Sequence, residues 1–340
     1  MIATSIKHDS MSRHGVKPME ASQQLVVSKV IHATPRIRGF VLRHPEGKPL
    51  PAFEAGAHLD VSIPLASGEI ALRSYSIASS PADRSHYLLG VLREDAGKGG
   101  SAAMHAHVGV GRLLTCSLPK NHFALAPQSP HYLLIAGGIG ITPLLSMVRV
   151  LASAKSDFSL YYCVRNGEDA AFLDEIEHLA GCRLTLHCDG GDPSRSVDLD
   201  ALLRDAPPRA DVYVCGPRGL NEAVIEAGKR ANWPPQRVHF EFFATAAPAA
   251  SDSAFRVVLQ QSGQTVDVAR DESILDALLR HNVEPLYDCK RGECGLCATT
   301  VIEGDVEHRD YVLSPEDRNE RNLMCVCVSR SKRGDLILDL

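Results

Sequence analysis

Three cysteines, Cys289, Cys294 and Cys297, fall within nine residues, and Cys325 and Cys327 follow in a distant apolar run. Gly292 and Gly295 are interleaved with the first three. A loop carrying three thiolates has to wrap around a positive centre, and the glycines let backbone N–H groups approach the negatively charged sulfurs. The pattern is that of a metal cage. A structural zinc site is the plain alternative, because soft thiolates also select zinc. Zinc ligands usually come as two similar pairs, however, and here three crowd one loop. A disulfide framework belongs to secreted chains, and Met1 to Glu20 is polar, without the apolar core of a secretory leader.

The rest of the composition narrows the function class. The 340 residues suggest two or three domains, and 44% apolar against 23% charged residues is an ordinary globular balance. A formal net charge of -5 and the absence of a Lys/Arg run argue against nucleic-acid or anionic-membrane binding. No apolar run is long enough to span a bilayer, so the expected compartment is the cytoplasm. There, cysteines mean metal ligation or buried thiols rather than disulfides, and those outside the cage, namely Cys116, Cys163, Cys182, Cys188, Cys215 and one of Cys325 and Cys327, need separate accounts. From Asp252 onward, 17 Asp/Glu stand against 11 Lys/Arg, a net of -6. Such an acidic segment either steers towards a basic partner surface or is simply a solvated face.

Taken in order, the chain reads as a disordered extension over 1–21 and then three folded stretches. Over 22–126, short strands alternate with turn residues at fairly even spacing, which predicts an antiparallel barrel interrupted by one helix opening at Gly99-Gly100-Ser101. Over 127–243 the rhythm changes to strand, glycine turn, helix. Tyr132 to Ala136 is a continuous apolar run, Gly137 to Gly140 a turn, and Thr142-Pro143 the start of a helix, which together predict an α/β domain with a parallel sheet. Residues 244–251, small and structureless, read as a linker. Over 252–340, two strands, a helix capped by Ser273, the cysteine loop and further strands at Ala298 to Ile302, Met324 to Val328 and Leu336 to Leu340 predict an α+β domain.

Two motifs sit in the barrel. Arg73-Ser74-Tyr75-Ser76 places a cation, a ring and two hydroxyls on one strand, and Lys98-Gly99-Gly100-Ser101 offers backbone amides at a helix start, where a phosphate can bind. Either alone is also what an exposed edge or a turn looks like. In the second domain Gly137-Gly138-Ile-Gly140-Ile-Thr142-Pro143 and Cys215-Gly216-Pro217 end two strands, and the first is not the G-x-G-x-x-G fingerprint of dehydrogenases.

Together these motifs resemble the ferredoxin-NADP reductase superfamily, and Cys289 to Cys327 resembles the [2Fe-2S] loop of plant-type ferredoxins with their β-grasp fold. The resemblance implies that Arg73 holds the flavin phosphate, Tyr75 packs on the flavin, Ser76 approaches its reactive edge, and Lys98, Gly99, Gly100 and Ser101 cradle the phosphate, with Ser74 in the place of a usual Thr. It implies that Gly138, Gly140 and Thr142 face the pyrophosphate or nicotinamide, that Cys215, Gly216 and Pro217 lie beside the nicotinamide, and that Phe243 covers the flavin. Spacing leaves Cys325 and Cys327 open as fourth ligand; the separation from Cys297 in plant-type ferredoxins points to Cys327.

The order of the three parts, with His308-Arg309-Asp310 and Cys327-Val-Ser-Arg330, is similar to the reductases of the phthalate dioxygenase and vanillate O-demethylase systems. That similarity implies FMN as the flavin, and a relay from NADH through FMN and a [2Fe-2S] cluster to a terminal oxygenase, expected to be of the Rieske type. Ser76 and Cys215 are the expected catalytic pair. NADH is favoured over NADPH because Cys188 to Arg195 is acidic with one Arg. A non-catalytic electron carrier or redox sensor, and a hydroxylase or cytochrome partner, are the competing readings.

Overall fold

The computed structural model describes residues 21–245 and 247–340. The expected extension over 1–21 falls almost wholly outside the described residues. The chain divides into two compact units that meet at Ala244 and Thr245, inside the expected linker.

The first unit opens with β1 (Ser22–His32), β2 (Ile37–Arg43), β3 (His58–Pro64), β4 (Ile70–Ser76), β5 (Tyr87–Leu92), helix α1 (Gly100–His107) and β6 (Leu113–Ser117). These strands form one antiparallel sheet in the order β4-β3-β6-β1-β2-β5. A bridge between Ile77 and Leu89 brings its two edges together, so the sheet nearly closes into a barrel. Alternate residues face inward: Leu25 and Val27 on β1, Phe40 and Leu42 on β2, and Leu59, Val61 and Ile63 on β3 fill the interior.

The same unit continues with β7 (Tyr132–Gly137), α2 (Ile141–Ser153), β8 (Phe158–Val164), α3 (Leu173–Ala180), β9 (Leu184–Cys188), α4 (Leu199–Arg204), β10 (Asp211–Cys215), α5 (Arg218–Arg230) and β11 (Val238–Glu241). The strands are all parallel, in the order β11-β10-β7-β8-β9. The order reverses between β7 and β10, and the carboxyl ends of those two strands frame the crevice where such sheets bind nucleotides. Helix α2 is apolar almost all round because barrel and sheet enclose it. Ala55, Ala78, Leu88 and Phe123 of the barrel share one core with Leu144, Met147 and Val148 of α2, and Ser146 donates to the Ser79 carbonyl at 2.9 Å.

The second unit contains β12 (Phe255–Leu259), β13 (Thr265–Val268), α6 (Ile274–Arg280), β14 (Ala298–Glu307), α7 (Pro315–Asn319), β15 (Leu323–Cys325) and β16 (Arg330–Leu338). Its sheet runs β13-β12-β16-β14-β15, with β12 and β16 parallel and the other pairs antiparallel. Ser273 caps α6 by accepting from the Asp276 N–H at 3.0 Å, and Ser314 with Asp317 forms a capping box on α7. Strand β14 runs five residues past the expected end at Ile302, because charged Glu303, Asp305 and Glu307 hide a hairpin-like pairing with β16. Strand β15 stops at Cys325, not Val328: the N–H groups of Val328 and Ser329 both return to the Cys325 carbonyl and close a turn. Strand β11 ends at Glu241, so Phe242 and Phe243 lie beyond it. Among the described residues no helix is long and apolar enough to cross a membrane.

At the crevice the backbones meet so closely that side chains are excluded. A Cβ at Gly140 would lie 2.0 Å from the Cys215 carbonyl oxygen, whereas one at Gly138, φ +52°, would meet nothing within 4 Å. Gly140→Ala is therefore expected to cost at least about 1–3 kcal/mol by overpacking, and Gly138→Ala only backbone strain of about 1 kcal/mol. Thermal unfolding followed by circular dichroism checks that order, and equal losses would contradict it.

Candidate functional site

Arg73, Tyr75 and Ser76 come from the edge strand β4, opposite Val61, Leu59 and His58 of β3. The Arg73 guanidinium donates to the Leu72 carbonyl at 2.8 Å and reaches the Lys98 carbonyl at 3.5 Å. It lies against α1 so closely that a Cβ at Gly100 would be 2.9 Å from its Nε. Gly99, φ +79°, precedes the helix and supplies no side-chain cap, so the first-turn amides stay available to an anion beside that cation. Ser101 Oγ accepts from the Glu94 N–H at 3.1 Å and pins the loop carrying Lys98. The Tyr75 hydroxyl is buried without a hydrogen-bond partner, and burial, opposed by Arg73, pushes its pKa up. An orphaned hydroxyl, a cation and bare amides fit a phosphorylated aromatic cofactor. Ser74 points elsewhere: its hydroxyl donates at 2.6 Å to Asp60, which also pairs with Lys120 at 3.0 Å.

The second half of the site forms where the barrel meets the ends of β7, β10 and β11. Ser76, buried, donates to Glu241 Oε2 at 3.2 Å, and the Cys215 thiol lies 4.0 Å from the same oxygen. Cys215 and Glu241 are register partners on adjacent parallel strands. Asn221 of α5 donates to the Glu241 carbonyl at 2.8 Å and holds the strand end in place. Sequence reasoning missed Glu241. Its signal was present, an acid in the middle of His239-Phe-Glu-Phe-Phe243, where a strand end otherwise has only packing to do.

The neighbouring expectations divide. Gly138 opens onto free space, but Gly140 packs on the Cys215 backbone and Gly216 on Gly137. Thr142 is almost fully buried, its Oγ1 donating to the Ile139 carbonyl at 3.0 Å and its methyl pressed on Gly90 of β5. It joins barrel to sheet at the crevice end of β7. Pro217 starts α5 and packs on Gly137. Phe243 is exposed beyond the strand end, while its neighbour Phe242 is buried beneath the Arg218 guanidinium at 4.3 Å. At the end of β9 the Asp189 carboxylate accepts from the Gly191 N–H at 2.7 Å. Arg195 was the one cation read there, and the fold brings Arg165 to the same glycine loop.

In the second unit the thiols meet in two groups, Cys289 with Cys294 and Cys297 with both Cys325 and Cys327. The loop directs amides inward: Arg291, at 3.3 Å, and Glu293 and Cys294 donate to Cys289, Leu296 to Cys294, and Gly292 to Cys327. The bond from Cys294 and these amides pull the Cys289 thiol down to about 5 against its burial, and the bonds from Cys325 and Cys327 bring Cys297 to about 3. Cys294, Cys325 and Cys327 are pushed up by the same bonds, so the thiols titrate as interacting groups. Among the described residues no three His, Cys, Asp or Glu side chains converge on a single ion position. Two separate groups of thiols suit a two-iron group better than a lone zinc. Cys327, in the turn after β15, receives the loop amide and lies near Cys289, while Cys325 lies near Asp310. Gly292, φ +77°, is required twice, because a Cβ there would also sit 2.8 Å from Val328.

Comparison with known proteins agrees with this geometry. Residues 257–332 match the family described as the 2Fe-2S iron-sulfur cluster binding domain, and residues 134–226 match the oxidoreductase NAD-binding domain. The chain is 39% identical over 332 residues to the phthalate 4,5-dioxygenase oxygenase reductase subunit of Pseudomonas putida, covering 95% of this chain and 100% of that one. The solved phthalate dioxygenase reductase, described as a modular structure for electron transfer from pyridine nucleotides to [2Fe-2S], is 36% identical with a TM-score of 0.71, over 94% of this chain and 98% of that one. An intact type IV self-sufficient cytochrome P450 monooxygenase is 34% identical with a TM-score of 0.74 over 96% of this chain, which spans 43% of that longer protein.

The placement of the two downstream thiols predicts that Cys327→Ser abolishes bound iron while Cys325→Ser retains it. Iron content and visible absorbance of the two purified variants check this, and the reverse pattern would make Cys325 the fourth ligand.

Proposed function

The chain belongs to the phthalate dioxygenase reductase family of oxygenase reductase components, and on that premise we propose that it carries electrons from NADH through FMN and a [2Fe-2S] cluster to a Rieske-type terminal oxygenase in the cytoplasm. The single observation that carries the reading is the junction of Ser76, Glu241 and Cys215, which joins the flavin half of the first unit to its nucleotide crevice within one buried hydrogen-bonded group.

When bound, NADH supplies a hydride, FMN accepts two electrons and releases them singly, and the cluster takes one at a time. The chain's own residues do the rest. Arg73 and the amides of Gly99, Gly100 and Ser101 hold the phosphate, with Lys98 as a point charge at the loop. Tyr75 packs on the ring system and finds a partner for its hydroxyl there. Glu241 sets the rotamers of Ser76 and Cys215 together, so the flavin edge and the nicotinamide meet in a fixed orientation. Burial of all three side chains excludes water from the place where hydride passes. Gly138 leaves room for the dinucleotide at the strand end, and Phe243, exposed beyond β11, is free to cover the flavin. Asp189 opposes a 2′-phosphate, which favours NADH although Arg165 and Arg195 stand nearby. Cys289 and Cys294 would hold one iron of the cluster, and Cys297 and Cys327 the other.

A haem oxygenase as electron acceptor is the second reading, favoured by the likeness to the self-sufficient P450. Reconstitution with each class of oxygenase separates the two.

The reading predicts that anaerobic NADH bleaches the flavin of the purified protein and produces a reduced [2Fe-2S] signal in low-temperature EPR. Bleaching with no such signal would count against the four cluster ligands. Ser76→Ala is expected to retain flavin and to slow its reduction by NADH about 100-fold, measured by stopped-flow absorbance; an unchanged rate removes Ser76 from the reaction.

A further inference from the structure

The motif His308-Arg309-Asp310 has no part in the relay itself, yet its aspartate is the most enclosed carboxylate near the cage. The Asp310 side chain is fully buried. It accepts from the Arg318 guanidinium at 3.0 Å, the Leu313 N–H at 3.0 Å and the Ser329 hydroxyl at 3.3 Å, with His308 Nδ1 at 3.5 Å. Two of its neighbours lead to the same cysteine. On one side the Tyr311 N–H donates to the Gly292 carbonyl at 3.0 Å, a Cβ at Gly292 would lie 3.1 Å from the Asp310 Cα, and the Gly292 N–H is directed at Cys327. On the other, Ser329 closes the turn that carries Cys327 through its bond to the Cys325 carbonyl at 3.0 Å.

Resting on the cluster reading above, we propose that Asp310 is a positioning residue of the cluster site. Its carboxylate clamps the Cys327 turn onto the Cys289 to Cys297 loop, and its charge, balanced by Arg318, opposes the arrival of the electron at the cluster. Reduction adds one negative charge to a group bound by four thiolates, and a buried anion raises the energy of that state while a neighbouring cation lowers it. Arg318 is part-exposed, so its loss leaves the carboxylate in place and less balanced. Arg309, between the two, turns the other way: it pairs with buried Asp252 and holds that carboxyl down at about 2.

The two effects of Asp310 are separable in the full-length holoprotein. EPR-monitored potentiometric titration of Asp310→Asn is expected to give about tenfold more reduced cluster at a fixed poise, a positive shift of about 60 mV for one electron. Arg318→Gln is expected to shift the potential in the opposite direction. A merely structural role would not give opposite signs. Shifts of the same sign, or none, would overturn the electrostatic half. Asp310→Ala is expected to lose iron to a chelator faster than Asp310→Asn, which keeps the acceptor; equal rates would overturn the clamp. Where Asp310→Asn yields no folded holoprotein, the sign of the Arg318→Gln shift decides: a lower potential supports the proposal and an unchanged or higher one defeats it. Absence of any [2Fe-2S] signal from the unsubstituted protein would instead defeat the cluster reading itself.

Discussion

A carboxylate taken out of water has to be met by donors, since an unmatched buried charge costs several kcal/mol. Both sites in this chain are arranged around that constraint. Glu241 is buried with Ser76 reaching it from the barrel and Cys215 beside it, and Asp310 with Arg318, Ser329 and a backbone N–H closing on it. Ser76 lies 165 positions from Glu241, and Ser329 lies 19 positions from Asp310. Satisfying the charge therefore also fixes how those segments sit, to within the tolerance of a hydrogen bond.

Close backbone approach has the complementary effect at the crevice. Gly140 against Cys215 and Gly216 against Gly137 bring the ends of β7 and β10 together with no side chain between. That contact leaves the Cys215 thiol directed at Glu241 on the next strand. The barrel then closes over the same point, with Gly90 receiving the Thr142 methyl. Two sheets of different construction share one core because small residues face one another where they touch.

How much could be read from sequence depended on how local each signal is. The spacing of Cys289, Cys294 and Cys297, the glycine turn after Tyr132 to Ala136 and the Ser273 cap are set by neighbours a few residues away. Strands with alternating burial, such as Phe158–Val164, carry their own period-two signal. Glu241 escaped notice because its partner Ser76 is 165 positions away, and no periodicity links a strand-end acid to a hydroxyl in another sheet. Thr142 carries a second role that is not local either: its methyl meets Gly90 of the barrel, a contact that a threonine in a glycine turn does not announce. The end of β15 also depended on the residues beyond it, since the Val-Cys-Val-Ser run has strand propensity throughout and only the return of two N–H groups to Cys325 shows the turn.

The same locality explains why His308-Arg309-Asp310 could be noticed but not interpreted. Successive residues of an extended segment point in opposite directions, so consecutive positions can serve different parts of a domain. Arg309 turns to Asp252, which Arg330 also approaches while its own guanidinium bonds the Ser253 and Ala269 carbonyls. Asp310 turns to Ser329, one position before Arg330. Two adjacent pairs, Arg309-Asp310 and Ser329-Arg330, thus cross-link twice, once at the start of the second unit and once at the cysteine cage. A displacement of either strand end would unmatch a buried charge at both places, and so the first residues of this unit and its thiols are held by one continuous set of charge-assisted bonds.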